Sequence, residues 1–279
     1  MSVVVLAAAI LSSSILLSTI SIPPPTVTWE GLSPEDNATT YVNSMPIGNG
    51  GLAANVFVDN KNISGSVLIG LLIADQRSWN EAGEFVKVGK VTVDLTPSPW
   101  ASGPNTPFKQ VLDAGTGTVR LDIGNGSSMT TVVAFVDALK DVIVLNIASP
   151  TAINVTVTTE LLRPKPFQVR PLFHCRPYNV SADFYVNDSA TGDLLGWAHA
   201  NTQSDYITSV LRALNLESLE GVIEDRVANR STVAIWRFGR FMVPAGSSGA
   251  LRTVEAARNF SMVIAGVATS EQGFGPAFQ

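Results

Sequence analysis

The sequence has little charge and almost no cysteine. Of its 279 residues, 18 are Lys or Arg, 23 are Asp or Glu and one is Cys, which gives a net charge of −5. A lone cysteine excludes an intramolecular disulfide and a thiolate-rich metal site. Without a surplus of basic residues, the surface lacks the charge by which proteins hold nucleic acid or anionic lipid. We therefore expect no metal, no nucleic-acid partner, and a fold stabilised by burial of apolar side chains.

Histidine is scarce, and nucleotide-binding motifs are missing. The two histidines are His174 and His199, and no G-x-S-x-G turn accompanies them, so a Ser-His-Asp hydrolase is not indicated. Neither the phosphate-binding G-x-x-x-x-G-K-[ST] loop nor a strand followed by G-x-G-x-x-G occurs. The sequence therefore predicts no cofactor, and it favours structural roles for His174, Cys175 and His199.

The amino terminus carries a long hydrophobic run. Residues 3–20 are apolar apart from Ser and Thr, and the triple proline 23–25 ends any helix there. The small residues Thr19 and Ser21 stand at positions −3 and −1 of a cleavage site after Ser21. This pattern predicts a signal peptide over residues 1–21 and no stable membrane span after its removal. A signal anchor is the alternative, because the run approaches the length that crosses a bilayer.

Asparagine lies in glycosylation sequons more often than chance predicts. Eight of the 17 Asn residues are in N-x-S/T sequons, whereas random placement gives about three. Together with the hydrophobic amino terminus, this excess predicts a secreted, extracellular glycoprotein. The alternative is a Thr-rich β surface that forms sequons incidentally. The sequons are at Asn37, Asn62, Asn125, Asn154, Asn179, Asn187, Asn229 and Asn259.

Alternation of apolar and polar residues predicts many short strands after the triple proline. The alternation shifts at Gly89, which indicates a bulge or bend, and it places Asn154 on the face away from the core. Many short strands separated by Gly, Asn, Asp and Pro are typical of an antiparallel β-sandwich, so we expect a mainly β fold. No linker divides residues 22–279, which we expect to form one domain. The predicted strands are 52–59, 66–74, 85–95, 118–123, 129–137, 142–148, 153–160, 233–243 and 261–268.

One segment has helical periodicity instead. Within 204–227, Ile207, Val210, Leu211 and Leu214 recur at i, i+3, i+4 and i+7, and apolar residues continue the pattern after Asn215. This predicts one or two accessory helices. We expect them to pack on the side of the sandwich, with a partner-binding helix as the alternative.

Two loops combine turn residues with side chains suited to recognition. In the first, glycines surround Asn49, whose amide is either presented at a rim or locked into the turn. In the second, Trp79 stands beside Asn80 and Glu81, a combination that suits stacking on a sugar with hydrogen bonds to its hydroxyls. A tryptophan that closes the end of the sandwich is the alternative. Asn49, Trp79, Asn80 and Glu81 are therefore the candidate residues for carbohydrate binding or for a domain interface.

Paired carboxylates are the remaining route to catalysis. Glycoside hydrolysis needs only two Asp or Glu residues about 5 to 10 Å apart, a distance that sequence does not fix. A glycosidase within the sandwich is therefore a third hypothesis, with solvated surface carboxylates as the alternative. The candidates, which lie near predicted strand ends, are Asp75, Glu81, Glu84, Asp113, Asp137 and Asp141.

The order of several motifs resembles a known family. M-P-I-G-N-G-G-L at 45–52, then S-W-N-E at 78–81 and K-V-G-K-V at 87–91, resemble the N-terminal domain of glycoside hydrolase family 95-like proteins. Within that group they resemble an uncharacterised N-terminal domain family of secreted bacterial and fungal relatives. Later segments keep the family's order: F-K-Q-V-L-D at 108–113, G-T-V at 117–119, V-D-A at 136–138, W-A-H-A-N at 197–201 and R-F-G at 237–239.

The resemblance implies a β-supersandwich that precedes a catalytic α/α barrel in full-length relatives. The barrel carries the catalytic carboxylates, and the present sequence has no run of paired amphipathic helices. It therefore implies no catalytic residue in this chain, and a role in packing against such a barrel and shaping its cleft through the Asn49 and Trp79 loops. A stand-alone carbohydrate-binding module is the alternative function.

Overall fold

The computed structural model describes residues 24–30, 44–59, 67–100, 106–169, 178–187, 194–201, 204, 206–237, 241–242 and 249–269. The predicted signal peptide 1–21, the sequons at Asn37 and Asn62, and His174 with Cys175 lie outside these residues.

Antiparallel strands make up most of the described chain, as the alternation predicts. One helix, α1, spans Tyr206–Ala213. Short 3-10 helices span Gly126–Ser128 and Glu217–Leu219. The strands are β1 Thr26–Glu30, β2 Met45–Gly48, β3 Leu52–Asp59, β4 Val67–Trp79, β5 Phe85–Thr96, β6 Phe108–Asp113, β7 Thr118–Ile123, β8 Thr130–Val136, β9 Val142–Glu160, β10 Phe167–Val169, β11 Tyr178–Val180, β12 Phe184–Asn187, β13 Leu194–Ala200, β14 Ser231–Arg237, β15 Phe241–Met242, β16 Ala250–Thr253 and β17 Ala257–Thr269.

Two sheets share the long strand β9. Sheet 1 has the order β1-β6-β7-β8-β9-β17-β14-β13-β12, and sheet 2 has the order β2-β3-β4-β5-β9-β16-β15. A separate hairpin is formed by β10 and β11. The two sheets enclose one continuous core, so the expected mainly β, antiparallel sandwich is confirmed.

Strand β9 is continuous where the sequence predicts two strands. Its first part pairs with β8 and β17, and from Asn154 onward it pairs with β5. Pro150 has no N–H to donate, but it lies where the strand passes from one sheet to the other and ladder partners change. Side chains alternate again after the crossing, with Ile153, Val155 and Val157 buried and Asn154 on the other face.

Two glycines allow large aromatic rings to fill the core. Phe57 lies across from Gly70, and a Cβ at Gly70 would overlap the Phe57 ring. Likewise the Trp197 indole lies over Gly89, and its N–H donates to the carbonyl oxygen of Val88. Gly89 of β5 pairs with Ile73 of β4, and Lys87 pairs with the next residue of β4, Ala74. Val88 is therefore an extra residue that forms a bulge in β5. The irregularity predicted at Gly89 is confirmed.

The predicted helix over 204–227 is shorter than expected. Asn215 adopts a left-handed conformation with φ of 55°. The N–H of Leu216 then donates to Leu211 O and that of Asn215 to Arg212 O, the pairing that ends helices in a Schellman motif. The predicted accessory helix is confirmed by α1, whereas the apolar residues beyond Asn215 lie in turns and a 3-10 helix. No helix among the described residues is both long enough and apolar enough to cross a bilayer.

Candidate functional site

Asn49 connects two loops through its side chain. Its Oδ1 accepts hydrogen bonds from the backbone N–H groups of Gly51 and Leu52 at 2.9 and 2.8 Å. Its Nδ2 donates to the carbonyl oxygens of Asp137 and Lys140, both at 3.0 Å. Of the two sequence interpretations, the structure therefore places Asn49 within the turn, where it fastens the β2–β3 loop to the β8–β9 loop.

An ion-pair cluster lies beside this turn. Arg77 Nε donates to Asp75 Oδ1 at 2.8 Å, and Arg77 Nη2 lies 2.9 Å from Asp141 Oδ2. Asp75 is completely buried. The hydrogen bond from Arg77 to Asp75 outweighs the desolvation of the guanidinium and raises the pKa of Arg77 above its ordinary value. Arg77 is thus a fixed cation that joins β4 to the β8–β9 loop.

Trp79 ends β4 and packs against Phe85 at the start of β5. The two rings meet edge to face, with centroids 5.9 Å apart and planes at 75°. Trp79 is 37% exposed and Phe85 49% exposed. The indole N–H donates to Gln76 O at 2.9 Å, so its single polar group is already bonded within the chain.

The turn between these aromatic residues is held by Asn80. Asn80 Oδ1 accepts hydrogen bonds from the N–H groups of Ala82 and Glu84 at 3.0 and 2.9 Å, and its Nδ2 donates to Glu84 Oε2 at 3.0 Å. Asn80 is buried. Its amide therefore stabilises the turn and is not displayed to solvent.

Glu81 points inward and belongs to a buried network of four charged side chains. Its Oε1 accepts a hydrogen bond from the N–H of Ser181 at 2.9 Å, and its Oε2 lies 3.3 Å from His199 Nε2. On the other side of the ring, His199 Nδ1 lies 3.0 Å from Asp183 Oδ1. Arg163 completes the network, donating from Nε to Asp183 Oδ1 at 2.9 Å and from Nη1 to Lys87 O at 3.0 Å.

The network favours charged forms of both Glu81 and His199. Burial opposes the imidazolium, but hydrogen bonds to Asp183 and Glu81 outweigh it, and the pKa of His199 is raised. Burial likewise opposes the Glu81 carboxylate, but hydrogen bonds from His199 and Ser181 outweigh it, and the pKa of Glu81 is lowered. Glu81, Asp183, His199 and Arg163 are called the charged quartet below.

The quartet fastens elements together and offers no free base. Both ring nitrogens of His199 face carboxylates, and the ring is 3% exposed, so neither nitrogen has access to a substrate proton. The sequence favours a structural role for His199, but it does not single out Arg163 or Asp183. Neither residue has a local pattern that distinguishes it from a surface charge.

Asn201 and Ser204 attach the same turn to the helical segment. Asn201 Nδ2 donates to the carbonyl oxygens of Trp79 and Val227, both at 2.9 Å. Ser204 Oγ lies 2.9 Å from Glu81 O and accepts a hydrogen bond from the N–H of Tyr206 at the start of α1. These hydrogen bonds hold the turn from Trp79 to Phe85 against the segment that contains α1.

Each of the six candidate carboxylates has an ion-pair or hydrogen-bond partner within the chain. Asp75 and Asp141 share Arg77, and Glu81 belongs to the charged quartet. Glu84 accepts the Asn80 amide, while Asp113 and Asp137 accept backbone N–H groups of the turns that follow them. The described residues include no cluster of three or more His, Cys, Asp or Glu that could hold a metal ion.

The sequons in the described part of the chain differ in exposure. Asn125, Asn179, Asn229 and Asn259 are exposed, and Asn187 is the last residue of β12. Asn154 is half-buried, and its Oδ1 accepts a hydrogen bond from Thr253 Oγ1 at 3.3 Å. The exposed four have room for a glycan in the folded chain.

Comparison with known proteins identifies a family without an assigned activity. No curated protein matches the chain significantly. The model of the DUF5703_N family, described as a domain of unknown function (DUF5703), matches residues 33–264. This match confirms the predicted resemblance to an uncharacterised domain family. The link to glycoside hydrolases stays a prediction. Because the match covers well over half of the sequence, the chain belongs to the DUF5703_N family.

Proposed function

We propose that this chain is a non-catalytic domain of a secreted, family 95-like glycoside hydrolase, and that it packs against a catalytic α/α barrel and shapes one wall of its cleft. The observation that carries the proposal is the contrast within the turn from Trp79 to Phe85. Its polar side chains, Asn80 and Glu81, bond within the chain, whereas its two aromatic residues remain exposed.

The geometry of the aromatic pair suits a protein partner. The edge-to-face arrangement of Trp79 and Phe85 forms an angled apolar surface and not a flat platform. With its N–H bonded to Gln76 O, the indole presents carbon atoms alone. Exposed aromatic residues on a rigid support are the side chains that contribute most energy when a protein interface buries them.

The roles of the carboxylates favour a non-catalytic domain. A glycosidase needs one carboxyl group to protonate the leaving group and a second to act as nucleophile or base, both facing the substrate. Asp75 and Glu81 are buried and bonded to cations, and Asp141 is paired with Arg77. This supports the proposal that the catalytic pair belongs to the barrel.

The first experiment is the mass of the native secreted protein before and after enzymatic deglycosylation, with tryptic peptides read toward its carboxyl end. We expect a deglycosylated mass tens of kilodaltons above the 29.5 kDa of this chain, with peptides continuing past Gln279. A native protein of this chain alone, bound to no second polypeptide, contradicts the proposal.

A second experiment tests the interface in the native protein. We expect Trp79→Ala and Phe85→Ala each to lower glycosidase activity severalfold, since removal of an interface aromatic costs about 1–2 kcal/mol or more of binding energy. Phe167→Ala is the matched control because Phe167 is similarly exposed, at 45%, but lies on the β10–β11 hairpin. Equal effects of all three substitutions contradict an interface at Trp79.

A stand-alone carbohydrate-binding module is the second candidate. Its support is that Trp79 is the most exposed of the five tryptophans, since Trp29 is partly buried and Trp100, Trp197 and Trp236 are buried. An exposed tryptophan suits stacking on a sugar ring. This function predicts a sugar-dependent change of tryptophan emission that Trp79→Ala abolishes. Unchanged emission with saturating fucosyl, galactosyl and glucosyl oligosaccharides contradicts it.

A further inference from the structure

The outer face of sheet 1 has a shallow depression over three strands. Its volume is about 400 Å³, within the range of roughly 300–1,000 Å³ that is typical of small-ligand sites. Two rows of paired residues from β8, β9 and β17 form it. They are Thr131–Ala148–Asn259 and Val133–Asn146–Ser261.

The depression exists because its side chains are short and because β9 leaves the sheet beside it. Pairing of β9 with β8 ends at Ala148, and the pairing of β9 with β17 is irregular between Asn259 and Ala257. Residues 149–152 lie at the crossing toward sheet 2. Between the pairs Ala148–Asn259 and Ile153–Ala257, four residues of β9 stand opposite Arg258 alone, so β9 bulges beside the depression.

The lining combines an apolar floor with polar groups. Val133 and Ala148 provide carbon surface. Asn146 Oδ1 accepts a hydrogen bond from Ser261 Oγ at 2.8 Å, and among the described residues its amide nitrogen has no acceptor. At the neighbouring edge, Thr131 Oγ1 donates to Asp122 Oδ1 at 2.7 Å. Such a surface suits a sugar ring, which has a C–H face and hydroxyl groups at its edge.

One of the lining residues is itself a glycosylation sequon. Asn259, with Ser261 as the hydroxyl residue, is exposed, and its amide makes no hydrogen bond among the described residues. A glycan attached to its Nδ2 starts at the rim of the depression. Asn154, by contrast, is half-buried and bonded to Thr253.

We infer that the first sugars of an N-linked glycan on Asn259 lie in this depression and cover β8, β9 and β17. The inference rests on the proposed secreted, glycosylated state. The glycan is then part of the folded surface, because the attachment bond keeps its first sugars beside the lining at high effective concentration. It also keeps protein partners off this face, which leaves the Trp79 end of the molecule for the barrel.

The experiment uses the glycoprotein from a eukaryotic secretory host and measures endoglycosidase release separately at each sequon by peptide mass. In the folded protein we expect release at Asn259 to be at least about tenfold slower than at Asn125 and Asn229, equivalent to about 1.4 kcal/mol of protection. After denaturation the rates become equal. Equal rates in the folded protein overturn the inference.

Matched variants separate the depression from general effects. Ala148→Arg, or the smaller Ala148→Gln, fills the depression from an exposed position and is expected to raise release at Asn259 to the rate at Asn125. Leu139→Arg adds the same charge at a residue that is 93% exposed and outside the lining, and leaves the rates unchanged. An empty Asn259 with other sequons occupied overturns this inference alone, whereas no glycan at any sequon also overturns the proposed secreted state.

Discussion

Within the charged quartet, His199 makes stability depend on pH. Its pKa is raised above the ordinary value of 6.5, because the hydrogen bonds to Asp183 and Glu81 outweigh desolvation. A raised histidine pKa stabilises the fold fully below about pH 6.5 and loses this effect as pH rises through the folded-state pKa. The pKa of Glu81 is lowered from 4.5, so its contribution is present above that pH and is lost on acidification. We expect the free energy of unfolding to be highest between about pH 4.5 and 6.5.

Urea denaturation of the wild type and of His199→Gln over pH 5–9 tests this dependence. Among the described residues, loss of the buried cation leaves Glu81 with only Ser181 and Asp183 with only Arg163. We therefore expect His199→Gln to lower the free energy of unfolding by about 3–5 kcal/mol at pH 5.5. The variant should also lose the decline above pH 6.5. His174→Gln changes the other histidine and should keep that decline. Retention of the decline in His199→Gln would show that another group causes it.

At the scale of elements, Gly89 determines how β5 packs beneath Trp197. A Cβ built at Gly89 lies about 2 Å from the Trp197 ring, which is fully buried and cannot move aside. We expect Gly89→Ala to destabilise the fold by about 1–3 kcal/mol through overpacking. In a double-mutant cycle, Trp197→Phe should recover part of this loss, because a smaller ring leaves space for the methyl group. Strictly additive free energies of unfolding would contradict the contact.

The elements that alternation defines clearly are predictable from the sequence, and others are not. Strands β3 and β7 have the predicted bounds, because turn residues follow each strand in the sequence. The residues of β7 also alternate between buried and more exposed positions. Strand β6 is not predicted, since Gln110 occupies one of its buried positions and interrupts the apolar pattern. The helix is predicted too long, because apolar spacing continues past Asn215 although the backbone there turns left-handed.

In the candidate site, the sequence predicts local features but not contacts between residues that are far apart along the chain. Sequence identifies Asn49 and the turn from Trp79 to Phe85, since glycines and an aromatic residue mark them locally. It does not connect Glu81 with His199, which lie 118 residues apart, or either of them with Arg163. Such contacts depend on which strands become neighbours. That is a property of the sheet order, in which β13 lies beside β14 and faces β5 across the core.

At the scale of the whole molecule, β9 makes the two sheets one cooperative unit. Leu145 lies in the part of β9 that belongs to sheet 1, and Leu95 lies on β5 of sheet 2, opposite Val155 of β9. Both leucines are buried in the same core. Unfolding of either sheet would expose the apolar core face of the other sheet to water. We therefore expect a single unfolding transition with no stable half-folded form.

Matched leucine substitutions test this cooperativity. Leu145→Ala and Leu95→Ala should each lower the free energy of unfolding by about 2–5 kcal/mol and move the whole transition, as followed by both far-UV circular dichroism and tryptophan fluorescence. Leu139→Ala changes a side chain that is 93% exposed and should alter stability by less than about 0.5 kcal/mol. If Leu95→Ala instead splits the transition into two steps, sheet 2 unfolds separately. The shared strand would then not couple the two halves, and a partner domain docked at Trp79, on sheet 2, would stabilise that half alone.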